Sequence, residues 1–248
     1  MRDKMKKIFP ALAVIFMLTT ISACKKPGET SSSSGTSDEA IKKYILAHPE
    51  VLVESLNSYQ KQEAEQQGKK TEEELSKRTN EVYNNLASPV VGNPNGKTVI
   101  VEFFDYNCHY CKAILPDLQR IIAENKDVKV IFKEVPFLGE TSASTAIAAL
   151  IVYDTEPEKY FAFHTALMEH QGPADNNSIA AAAQKVGIDP AKLEQSFKDK
   201  KYENLLSENF KLAQALGISG TPTFIINGKV ARGAIQYEKM KELIGAKQ

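Results

Sequence analysis

Cysteine is scarce in this chain: 248 residues carry three, at positions 24, 108 and 111. A fold held by several disulfides is therefore excluded. A zinc site is excluded too, because Cys108 and Cys111 have no second ligand pair and His48, His164 and His170 fall at no zinc-like spacing. Charge of one sign is also missing, with 31 bases against 31 acids and no basic patch interleaved with aromatics, which argues against a nucleic-acid partner. A phosphate-binding glycine loop is absent; the cluster Gly92-Asn-Pro-Asn-Gly96 reads as a turn, not a nucleotide site. No metal or cofactor is expected.

The run Val99-Ile-Val-Glu-Phe-Phe-Asp-Tyr-Asn-Cys108-His-Tyr-Cys111 is apolar, β-branched and aromatic, and ends in a polar turn that delivers two cysteines three residues apart. Ala113, Ile114, Leu118, Ile121 and Ile122 follow at helical spacing. Strand, turn and a Cys-x-x-Cys on the first turn of a helix is an arrangement suited to redox chemistry. Unpaired backbone N–H groups and the helix dipole favour a thiolate at Cys108, the species that attacks a disulfide. The bland alternative is an inert structural disulfide. His109 is expected to help hold the thiolate, against the alternative of a solvated turn residue.

At the N-terminus, Met-Arg-Asp-Lys-Met-Lys-Lys precedes a mostly apolar stretch from Ile8 to Ile21, too short to span a bilayer comfortably. Ile21-Ser-Ala-Cys24 closes it and resembles the lipobox of bacterial lipoprotein signal peptides; the alternative is an ordinary secretory signal. The resemblance implies cleavage before Cys24, lipidation of that cysteine and a chain anchored in the cell envelope, facing the periplasm or extracytoplasmic side. Removing residues 1–23 leaves 27 bases and 30 acids. Lys25 to Ser37 is Ser/Gly-rich and reads as a tether. Residues 38–86 read as helical, with Ile41, Tyr44, Ile45, Val51, Leu52, Leu56 and Tyr59 apolar and His48-Pro49 as a break. Residues 61–80 are very polar, with Leu75 the one large aliphatic residue. Such a helix either crosses solvent to a partner chain or is partly disordered, and an oligomerisation arm, giving a homodimer, is the reading adopted.

Strands are expected over 99–104 and 128–135, then a helical stretch over 138–218. Its last helix opens at Asp189-Pro190 and runs unbroken to Gly217. Thr223–Ile226, a turn at Asn227-Gly228, Val230–Gly233 and a helix over 237–244 close the chain.

This order, with Gly220-Thr-Pro-Thr before the last hairpin, resembles the DsbA family. The resemblance spans about residues 88–246, and Ile-Lys-Lys-Tyr-Ile-Leu-Ala-His-Pro-Glu within 38–60 is similar to the N-terminal arms of DsbA-like lipoproteins and ScsC-type relatives. It implies an α/β, thioredoxin-like fold (88–137 and 218–248) with an inserted all-helical subdomain (138–217) and an N-terminal helical arm (38–87), behind a signal peptide (1–23) and tether (24–37). It further implies Cys108 as the nucleophile, Cys111 as the resolving thiol and Thr221-Pro222 as a substrate-binding cis-proline loop. Glu102 would be a buried acid handling the resolving proton, the alternative being a solvent-facing strand residue. DsbA itself has Pro-His between its cysteines. Here His109 and Tyr110 stand there, with Thr221 before the proline; Tyr and Thr at these places recur in the isomerases DsbC and DsbG. The expected activity is a disulfide oxidoreductase that oxidises and isomerises reduced or mispaired exported proteins, served by a membrane or soluble redox partner. An oxidase alone, or a peptide-binding chaperone using the same groove, are the alternatives.

Overall fold

A computed structural model of the chain describes residues 34–245. The signal segment 1–23 and Cys24 lie outside the described residues, as does the expected tether up to residue 33. The described chain forms two compact units, dividing between Ser55 and Leu56.

In the first unit, α1 (Ser34–Ala47) begins inside the expected tether, and α2 (Pro49–Lys77) starts after His48, where the proline ends one helix and opens the next. Ile41, Tyr44, Leu52 and their neighbours are exposed here.

The second unit is built on a five-stranded sheet of order β1-β3-β2-β4-β5: β1 (Val90–Gly92), β2 (Thr98–Phe104), β3 (Val128–Glu134), β4 (Thr223–Ile226) and β5 (Lys229–Arg232). Only β2 and β3 are parallel; the other pairings are antiparallel. The central strands are buried on both faces, which is why β2 reads as a continuous apolar run rather than an alternating one. On one face Ile100, Phe104, Val130 and Phe132 meet α4 (His109–Glu124) through Ile114, Leu115, Leu118 and Ile121. The insertion packs onto this same cluster: α5 (Glu140–Thr155), α6 (Tyr160–Met168), α7 (Asn176–Lys185) and α8 (Pro190–Ser196). On the other face Val101, Phe103, Ile131 and Ile225 meet Leu212 and Leu216 of α9 (Lys200–Ala215) and its exit turn, Val82 of α3 (Thr79–Tyr83), and Leu75 of α2. Helix α10 (Tyr237–Gly245) closes the chain.

Three sequence expectations change. The polar helix over 61–80 does not run through solvent along its whole length: Thr71 and Leu75 are buried within the second unit. One apolar side chain per several turns is too sparse a signal to find by periodicity. The helix expected from Asp189 to Gly217 is two, because Asp199 accepts from Lys201 N–H at 2.9 Å and caps α9 afresh. Asp189 caps α8 as expected, accepting from Ala191 N–H at 3.0 Å. Strand β1 was not anticipated; at three residues on a sheet edge it carries no period. Its Gly92 has φ +85°, and a Cβ there would sit 2.6 Å from the Val128 carbonyl oxygen.

Candidate active site

Strand β2 ends at Phe104 and passes into the turn Asp105-Tyr106-Asn107. Asp105 fixes that turn: its carboxylate accepts from the backbone N–H of Asn107 at 2.7 Å and of Leu138 at 2.9 Å, and its carbonyl accepts from Cys108 N–H at 3.0 Å. Cys108 thereby becomes the N-cap residue of α4, with extended backbone (φ −75°, ψ 116°) and no oxygen to cap with. Its side chain makes no capping hydrogen bond, and its sulfur lies at the head of the helix. The thiolate is stabilised first by the Cys111 thiol, then by Thr221 and by the backbone N–H groups of Cys111 and Tyr110, while partial burial opposes it. The balance holds Cys108 down to about 6. In the thiol form its S–H donates to the Thr221 carbonyl at 3.3 Å.

Exposure separates the two sulfurs. Cys108 is 7% exposed and Cys111 0%, so an incoming disulfide can reach only the first. Burial pushes the Cys111 thiol far up, reinforced by its hydrogen bond to Cys108 and by the charges of Glu102 and Cys108. Glu102 lies on the α4-facing side of β2, 1% exposed, with Oε1 lacking any hydrogen-bond partner. Burial, then the Cys108 charge, push its carboxyl up to about 8. The Glu102 charge reaches the Cys111 thiol and pushes it up, and a carboxyl that holds its proton near neutrality suits general acid–base work.

Thr221-Pro222 faces the pair and its peptide bond is cis. The loop is held by Thr223, whose hydroxyl donates to the Gly220 carbonyl at 2.8 Å, and by Gly233, whose N–H donates to the Pro222 carbonyl at 2.9 Å. His109 and Tyr110 form an exposed rim, their rings edge-on with centroids 5.6 Å apart. His109 also lines a cavity of about 730 Å³ with Asn107, Lys112 and residues 168–173. His164 is buried with Nδ1 3.0 Å from the Tyr106 hydroxyl, and burial pushes it down to about 3.

Two clamps were not anticipated. Asn107 donates to Ser142 Oγ at 3.0 Å and accepts from Ala174 N–H at 2.5 Å. Lys112 donates to the His170 and Gly172 carbonyls at 2.9 and 2.8 Å. The insertion is thus fastened on both sides of the cysteine pair. Asp-x-Asn before a helix is a turn signal that marks the first clamp, whereas nothing local marks the second. Among the described residues no cluster of His, Cys, Asp or Glu is placed to hold a metal ion.

A thiol at a helix N-terminus made acidic first by its partner cysteine, that partner buried one turn on, and a cis-proline loop across from them define a thioredoxin-fold thiol–disulfide oxidoreductase. The chain belongs to the DSBA-like thioredoxin domain family, whose model matches residues 99–245, and residues 38–66 match the copper resistance protein ScsC N-terminal domain. It is 29% identical over 166 residues to Disulfide bond formation protein D of Bacillus subtilis, covering 63% of this chain and 75% of that protein. A crystal structure of Proteus mirabilis ScsC in a transitional conformation is 31% identical, with a TM-score of 0.66, over 87% of this chain and 96% of that one. A periplasmic thioredoxin-like protein from Salmonella enterica serovar Typhimurium is 34% identical, with a TM-score of 0.63, over 68% and 96%.

Proposed function

We propose that this oxidoreductase oxidises and isomerises disulfides in exported proteins, with Cys108 as nucleophile and Cys111 as resolving thiol. The observation that carries this reading is the placement of Cys108: the reachable sulfur of the Cys108–Cys111 pair, at the head of α4, with its thiolate favoured down to about 6.

In oxidation, a substrate thiolate attacks Cys108 Sγ of the Cys108–Cys111 disulfide, and Cys111 leaves as a thiolate. Glu102, protonated at neutral pH, gives it a proton. The substrate's second thiolate then attacks the substrate sulfur of the mixed disulfide and displaces Cys108, which departs readily because its thiolate is stabilised. Two electrons pass to the enzyme, and a redox partner, membrane-bound or soluble, removes them. In isomerisation the reduced Cys108 thiolate opens a mispaired substrate disulfide, and a second substrate thiolate later expels it, with no net electron transfer. Thr221-Pro222 offers backbone N–H and C=O groups for strand-like pairing with the substrate peptide. His109 and Tyr110 rim the pair, the Tyr110 N–H adding to thiolate stability.

The exposed apolar side chains of residues 41–59 support a self-associating arm, in keeping with the ScsC N-terminal match over 38–66. The likeness to a periplasmic protein supports action outside the cytoplasm. The lipobox-like sequence supports anchoring through Cys24, and no described helix is long and apolar enough to cross a membrane.

Alkylation rate against pH tests the core of this reading. Cys108 is expected to react with a midpoint near 6, and Cys111 to react far more slowly at every pH. A Cys108 midpoint near the free-thiol value of about 8.5 contradicts it.

A further inference from the structure

The second half of α2 does more than cover apolar surface. Its side chains meet the two segments between which the Gly220–Thr223 loop is strung. On the side leading into the loop, Thr71 Oγ1 shares its proton between the Gln67 carbonyl at 2.8 Å and the Leu216 carbonyl at 3.2 Å, and Thr71 is 2% exposed. One residue on, Gly217 has φ +65°, and a Cβ there would collide with the Gln67 side chain lying across the turn. Leu75 anchors the helix beside these contacts, in one cluster with Leu216 and Ile218.

On the side leaving the loop, Arg232 Nη2 donates to the same Thr71 hydroxyl at 3.4 Å. Arg232 stands opposite Thr223 in the β4–β5 ladder, and the next residue, Gly233, holds the Pro222 carbonyl at 2.9 Å. One buried hydroxyl therefore ties together the chain five residues before Thr221 and the strand that grips Pro222. The Thr221 carbonyl is in turn the group that meets Cys108 Sγ at 3.3 Å.

We propose that this half of α2 is a strap that positions the substrate-binding loop, with Thr71 and Arg232 as its positioning residues. It sets how well a substrate peptide pairs with Thr221-Pro222. The proposal rests on the reading of that loop as the peptide-binding element.

The test is steady-state oxidation of a synthetic two-cysteine peptide carrying a fluorophore and quencher, by the full chain. Thr71→Val keeps the shape and removes the hydroxyl, and is expected to raise KM about fivefold, the factor one net buried hydrogen bond is worth. kcat and the pH midpoint of Cys108 alkylation should stay as in the parent, and Thr71→Ser should restore KM. Arg232→Met should move KM in the same direction. Pro222→Ala separates the strap from the reading beneath it. If Pro222→Ala raises KM while Thr71→Val and Arg232→Met do not, the strap is wrong and the binding loop stands. If none of the three moves KM, the loop does not bind the peptide and both fall. A Thr71→Val protein that loses kcat and thiolate acidity along with KM, or that does not fold while Arg232→Met leaves KM unchanged, reduces the contact to general stability and overturns the proposal.

Discussion

At neutral pH the Cys108 sulfur carries a negative charge, while the Glu102 carboxyl buried nearby keeps its proton. These opposite tunings leave opposite marks on stability. Cys108 is depressed from 9.0 to about 6, so its contribution to the reduced fold is complete above 9 and is lost as pH falls through 6. Glu102 is raised from 4.5 to about 8, so its contribution is complete below 4.5 and is lost as pH rises through 8. Removing the titration with Glu102→Gln is therefore expected to leave the variant gaining on the parent as pH rises from 4.5 to 8, read as a widening gap between melting temperatures. A gap that stays flat contradicts the burial argument. Glu134 is buried on the same sheet face and also pushed up to about 8, accepting from the Tyr160 hydroxyl at 3.2 Å, so the variant keeps a residual pH slope of its own. At this scale the sequence was informative where chemistry and spacing coincide. The structure brings Cys108 and Cys111, which the motif singled out, together with Thr221-Pro222 and Glu102, which the resemblance to the DsbA family added. Glu134, Asn107 and Lys112 did not show, because their partners are up to 67 residues away in the chain.

Helix α2 is the element whose role the sequence concealed most. Its composition from 61 to 80 is that of a solvent-exposed rod, yet Leu75, 6% exposed, sits in the core cluster under Val101 and Phe103. Leu75→Ala is expected to destabilise the second unit by about 2–5 kcal/mol in urea unfolding. A loss under about 0.5 kcal/mol would mean that the helix end is a surface feature. The insertion shows the converse. Its helices were legible from apolar spacing and from Asp189-Pro190, and only the break at Asp199 was missed, where a side-chain cap overrides a continuing periodic pattern. Asp199→Ala should cost about 1 kcal/mol by removing the bond to Lys201 N–H, measurable as a lower unfolding midpoint; an unchanged midpoint would show that packing alone holds α9.

The whole molecule joins a redox unit to an arm, and the division between Ser55 and Leu56 sets where the two can be separated. A truncation beginning at residue 89 would remove Leu75 and Val82 from the core and expose Val101, Phe103 and Leu216; one beginning at 56 keeps them. Light scattering is expected to give a homodimer for residues 24–248 and a monomer for 56–248, and equal masses would remove the arm's role in assembly. Scrambled ribonuclease should regain activity with the longer form and much less with the shorter, while both oxidise a dithiol peptide. Equal isomerisation by both, or by neither, would leave a plain oxidase. The central claim, that Cys108 is the sulfur through which substrates pass, is tested most directly by trapping. Reduced Cys111→Ala protein incubated with a disulfide-bonded peptide should accumulate a mixed disulfide, and peptide mapping by mass spectrometry should place every adduct on Cys108. A variant that forms no adduct, or an adduct that maps to Cys111 in the reciprocal Cys108→Ala protein at a comparable rate, would contradict the account.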